Sequence, residues 1–89
     1  MNEFQVFTAE QIKKIIPEYE KLELRATISD TSRSIEFFVT IKGERKQCYE
    51  LVDEGIINDA ALEKVFVAIA DFARKTDGYK NGEVNKFSF

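Results

Sequence analysis

The chain contains no histidine. That absence removes every Ser-His-Asp and Cys-His arrangement and most catalytic zinc sites together, because each needs an imidazole as base or ligand. A single cysteine, Cys48, excludes an internal disulfide framework and fits a reducing compartment. It has no recognisable base beside it in the sequence, so it reads as a buried structural thiol rather than a nucleophile. No run of about 18 apolar residues occurs, which speaks against a membrane-spanning helix. The start, MNEFQVFTAEQ, has neither the basic stretch nor the apolar core of a secretory leader. The cytoplasm is the expected location. The four glycines, at 43, 55, 78 and 82, are scattered, so no phosphate-cradling loop or dinucleotide fingerprint forms.

What remains is ordinary globular material. Eighty-nine residues suffice for one domain, 1–89, and not for two separate cores. A hydrophobic fraction of 44% beside 33% charged residues excludes a disordered tail, and eight phenylalanines supply bulky core side chains. The net charge of −3 is unevenly spread. Between residues 43 and 63, Glu44, Glu50, Asp53, Glu54, Asp59 and Glu63 outweigh Arg45 and Lys46. From residue 74 onward, Arg74, Lys75, Lys80 and Lys86 outweigh Asp77 and Glu83. A negative middle disfavours direct nucleic-acid binding, which needs a basic stripe against phosphate. It serves either solubility alone or attraction to a basic protein.

Hydrophobic spacing gives the order of elements. Thr8-Ala9-Glu10-Gln11 has the form of a capping box, and Ile12, Ile15 and Ile16 continue it as one face of a short helix that Pro17 ends. Phe4 and Phe7 precede this cap and are expected to pack back on the helix. Leu22, Leu24, Ala26 and Ile28 alternate with Glu23, Arg25 and Thr27, the pattern of a half-buried strand. Asp30-Thr31-Ser32-Arg33 supplies a turn before a second strand, Ile35 to Ile41, and Gly43 permits the reversal into a third, Gln47 to Leu51. The broadest apolar stripe is Leu62, Val65, Phe66, Ile69, Phe72 and Ala73, a helix over 59–76. Asn58 or Asp59 caps its start, Asp59 and Glu63 suit its positive end, Arg74 and Lys75 its negative end, and Gly78 its stop. Val84 to Phe89 alternates as a last strand. The expected fold is α+β, an antiparallel sheet of about four strands with two helices packed on one face, in the order α-β-β-β-α-β.

A two-residue loop at Gly43-Glu44 has a consequence. Lys42 then faces Arg45, Val39 faces Cys48, and Phe38 faces Tyr49. Phe38, Thr40, Gln47, Tyr49 and Leu51 would share the face opposite the core, exposed to solvent or a partner unless a terminal segment covers it. Glu50, Asp53 and Glu54 do not follow the alternating oxygen-ligand pattern of a calcium loop, and nothing in their spacing forces a catalytic pair to converge. No metal, cofactor or enzymatic activity is expected. These acids read as the end of an exposed strand and the loop leading to the second helix.

The stretches "IKKIIPEYEKLELRATI" and "SIEFFVTIKG", followed by an acidic loop and a long amphipathic helix, resemble small bacterial toxin-immunity proteins. The similarity is to the YezG-like group, through Ile15-Ile16-Pro17 at a helix end, Tyr19 near a position where that group tends to have tryptophan, and the aromatic pair Phe37-Phe38. Immunity proteins of contact-dependent growth inhibition systems, many of them small, acidic and cytoplasmic, are a second related group. The resemblance implies a non-catalytic inhibitor that binds a cognate toxin domain, often a basic nuclease, and occludes its active site. On that reading Glu50, Asp53 and Glu54 make electrostatic contact, Phe38 and Tyr49 act as anchors, and Glu36 joins them from the outer face. An adaptor domain without a toxin partner is the alternative, and an exposed aromatic face would equally suit a homodimer.

Overall fold

The structure is a computed structural model that describes residues 3–76 and the backbone of residues 84–88. The first helix, α1 (Glu3–Ile15), begins five residues before Thr8, the residue expected to cap it. Phe4, Thr8 and Ile12 form its buried line at spacings of four, so the apolar phase of the Ile12 face runs back through the phenylalanines. Phe7 stacks on Phe72 of the long helix at 4.2 Å between ring centroids, nearly parallel. Magnitudes decide between the two helix starts. An N-cap is worth about 1 kcal/mol, whereas burying one large apolar side chain is worth about 1.5–3 kcal/mol. Extending the helix over Phe4 and Phe7 therefore outweighs capping it at Thr8. The displaced Thr8 hydroxyl is fully buried, with no hydrogen-bond partner among the described residues. The helix stops at Ile15, before Pro17, as expected.

Strands β1 (Lys21–Ile28) and β2 (Arg33–Ile41) form an antiparallel hairpin with Leu22 opposite Val39, Leu24 opposite Phe37 and Ala26 opposite Ile35. All six of these side chains are buried. The connecting turn is tied by Ser29 and Ser32, whose hydroxyls lie 2.7 Å apart, and by the Ser32 amide donating to the Ser29 hydroxyl. Arg74 has a role that charge placement alone did not indicate. Its guanidinium donates to the Ser29 carbonyl at 2.8 Å and the Ser32 carbonyl at 3.0 Å, tying the end of the long helix to this turn.

The third strand, β3 (Glu44–Gln47), ends at Gln47, where the expected strand Gln47 to Leu51 would begin, and pairs in a different register. Ile41 faces Glu44, Val39 faces Lys46, and Phe38 faces Gln47 rather than Tyr49. The loop is Lys42-Gly43, one residue earlier than Gly43-Glu44, with φ of 51° and 79°. Positive φ at both loop residues is the backbone of a type I′ turn, which matches the strand twist and favours glycine at the second position. Glu20 holds the turn by accepting from the Gly43 amide at 2.9 Å.

Residues expected to complete a strand instead form a helix, α2 (Cys48–Asp53). The long helix, α3 (Asp59–Lys75), is capped by Asn58, whose side chain accepts from the Ala60 and Ala61 amides. It buries Leu62, Val65, Phe66, Ile69, Ala70 and Ala73. Gly78 and Phe89 lie outside the described residues. The architecture is thus α+β: through residue 75, three antiparallel strands and three helices follow in the order α-β-β-β-α-α, and a fourth strand completes the sheet. β4 (Val84–Ser88) pairs antiparallel with β1, giving the strand order β3-β2-β1-β4. The buried side chains of α1, α2 and α3 join one face of the sheet in a single core centred on Phe37, which meets Phe66 edge-on at 6.1 Å. The other face carries Glu23, Arg25, Glu36, Phe38 and Arg45, exposed or half-buried.

Two substitutions test this packing by chemical denaturation. Thr8→Val, which replaces a buried hydroxyl without a partner by a methyl group, should raise stability by about 1 kcal/mol; a loss would mean that the hydroxyl is satisfied. Arg74→Ala removes two charge-assisted hydrogen bonds and should lower stability by about 2 kcal/mol, with Arg74→Lys intermediate.

Candidate interaction site

Helix α2 is only six residues long, yet both its ends are closed. Gln47 is the N-cap: its side chain accepts from the Tyr49 amide at 2.9 Å, and Glu50 reaches back to the Gln47 amide at 3.4 Å, a capping box. At the other end Gly55 adopts a φ of 74°, the Gly55 amide donates to the Val52 carbonyl and the Ile56 amide to the Leu51 carbonyl. That pair of bonds is a Schellman closure, for which glycine is the favoured left-handed residue. Cys48 and Leu51 face the core, fully buried, and fix the rotation of the helix. The signals were present in Gln47-Cys48-Tyr49-Glu50 and Gly55, but the alternation of Gln47, Tyr49 and Leu51 imitates a strand.

This rotation puts Tyr49, Glu50 and Asp53 on the exposed side, with Glu54 following as C-cap. The three predicted acids therefore stand together on one helical turn, not at a strand end. They do different things. Glu54 accepts two contacts from Lys46 Nζ, at 2.7 and 2.8 Å, and holds that ammonium above its usual pKa range. Glu50 belongs to the capping box. Asp53 is exposed and has no ion pair among the described residues. Asp53 and Glu54 occupy the negative end of a helix that has no basic residue in its last turn. Each such placement is unfavourable by up to about 0.3–1 kcal/mol, toward the lower end for so short a dipole. Lys46 offsets this at Glu54 but not at Asp53.

The two aromatic candidates are separated by the register. Phe38 stays on the outer face of the sheet, half-buried, with the Arg45 guanidinium 3.7 Å from its ring centroid. Arg45 also donates to Glu23 at 2.6 Å, which lowers the Glu23 pKa. Phe38 is therefore already covered by a cation from its own chain. Tyr49 is on α2, half exposed, and lines a shallow hollow with Glu36, Arg33 and Glu63. Arg33 and Glu63 form an ion pair across that hollow, bringing β2 and α3 together. Helix-dipole reasoning gives Glu63 only a place at the positive end of α3; contact with a residue thirty positions away has no local sequence signal. Leu51, expected beside Tyr49 on the outer face, is in the core.

Cys48 is fully buried at the first position of α2, where backbone amides favour the thiolate, but burial wins and pushes the thiol pKa up. It has the surroundings of a structural thiol. Among the described residues no group of three or more Cys, Asp and Glu side chains is arranged to hold a metal ion. No described helix is long and apolar enough to cross a membrane.

Gly55→Ala tests the closure of α2. No heavy atom lies within 4 Å of an added methyl group, so only the left-handed backbone resists substitution. Stability should fall by about 1–2 kcal/mol, and Gly55→Asn should lose less, because asparagine tolerates this conformation. Equal losses for the two variants would contradict that explanation.

Compared with protein-family models and with curated proteins, the chain matches none.

Proposed function

We propose that this protein is a non-catalytic immunity protein that binds a cognate bacterial toxin domain, a basic nuclease, and neutralises it by occluding its active site. The observation that carries this reading is the exposed side of α2. A helix clamped at both ends presents Tyr49, Glu50 and Asp53 in one rigid patch, and leaves Asp53 at an electrostatically unfavourable end without a counter-ion among the described residues. A charge that disfavours the helix bearing it, beside a half-exposed aromatic, is readily understood as a group held for a partner. Acidic patches accelerate encounter with basic proteins, and rigid aromatics slow dissociation. The resemblance of Ile15-Ile16-Pro17 and Phe37-Phe38 to immunity proteins supplies the toxin as the partner.

The second reading is a small non-catalytic adaptor domain whose partner is not a toxin. It draws support from the outer face of the sheet, where Glu23, Arg25, Glu36 and Arg45 mix both charges.

Co-expression with the C-terminal domain of the adjacent gene's product separates the two. Restored growth and co-purification are expected; continued killing with no complex would refute the immunity assignment. Within such a complex, Asp53→Lys should slow association several-fold at low salt, and the difference should shrink as salt screens the charge. Association unchanged at low salt would remove Asp53 from the interface.

A further inference from the structure

The hollow between the start of β2, the end of β3, α2 and α3 has a volume of about 460 Å³ and is lined mostly by polar groups. We propose that it receives an arginine side chain of the basic partner, which deepens the reading above and rests on it for the partner's identity. Three features select a guanidinium. Tyr49 offers a half-exposed aromatic ring at the hollow, and a planar cation stacks on such a ring more readily than an ammonium does. Glu36 is exposed at the same hollow, on the strand preceding Phe37, and supplies a carboxylate that a guanidinium fork engages through two parallel bonds. The resident cation, Arg33, is already neutralised. It is paired with Glu63 and lies 5.7 Å from the Phe66 ring centroid, so among the described lining residues the charge of Glu36 is left over. An anionic ligand would meet Glu36 and Glu63 with Arg33, the only cation among the described lining residues, already in use.

The site is also built to be rigid. Tyr49 is the second residue of α2, its own amide bound by the Gln47 side chain, and its neighbour Cys48 is locked in the core. Gln47 lines the hollow as well as capping the helix. Little ordering entropy is lost when a ligand arrives at such an anchor.

The test needs no toxin. The intact protein is titrated with N-acetyl-arginine-methylamide, and in parallel with the citrulline analogue, which keeps the shape and lacks the charge, while backbone amide shifts are followed by NMR. Saturable shifts confined to Ser34, Glu36, Gln47 and Tyr49 are expected with the arginine probe and not with citrulline. Tyr49→Ala and Glu36→Gln, both at exposed positions, should each weaken binding roughly two- to fivefold with the amide spectrum otherwise preserved. Absent shifts, shifts scattered over the surface, or equal response to citrulline would overturn the proposal. Arginine binding without rescue of growth would uphold the hollow while refuting the toxin assignment; rescue without arginine binding would refute the hollow alone.

Discussion

The turn at Lys42-Gly43 sets where everything after it lies. Both residues take positive φ, and Glu20 accepts from the Gly43 amide, so the reversal is held from outside as well as by its own geometry. Moving the loop by one residue would put Cys48 opposite Val39 and continue the strand. With the loop where it is, Gln47 faces Phe38 as the last paired residue of β3. Its side chain is then free to cap a helix, and Lys46 is carried to the side where Glu54 will arrive. A one-residue difference in the hairpin thus accompanies the change of Tyr49 and Glu50 from an expected strand to a helix that also takes in Asp53.

Once α2 forms, three independent restraints hold it: a capping box, a glycine-dependent closure, and two fully buried side chains on its inner side. So short a helix would not survive alone in water. Its order comes from the core that Cys48 and Leu51 enter, and that core is organised by Phe37 and Phe66. The exposed side inherits this rigidity. The acidic and aromatic groups that a partner would meet are positioned by contacts on the opposite side of the same turn of helix.

Local pattern was enough for much of the fold. The alternation in Leu22–Ile28 and Ile35–Ile41, the stripe from Leu62 to Ala73, the Asn58 cap and the stop before Pro17 all stand in the structure, because each depends on neighbours within a few residues. Three readings failed, each against a competing interaction. The Thr8 capping box lost to burial of Phe4 and the stacking of Phe7 on Phe72. The Gly43-Glu44 loop lost to a turn with glycine second. The strand reading of Gln47–Leu51 lost to a helix whose two caps flank it. The candidate acids and Tyr49 were legible as residues, but not their common platform; Arg33 and Glu63 were not legible as a pair at all.

By itself, then, the sequence determined composition and local chemistry: no imidazole for acid–base or metal work, one thiol, an acidic middle, and the periodicities of two strands and a long helix. Tertiary structure alone decided the register of the third strand, the existence of α2, and the meeting of Tyr49, Glu36, Arg33 and Glu63 at one hollow. The physical reason is range. Periodicity and capping act over one or two turns of chain, whereas the hollow joins residues from positions 33 to 66, whose separation is closed only when the sheet and α3 bury a common core.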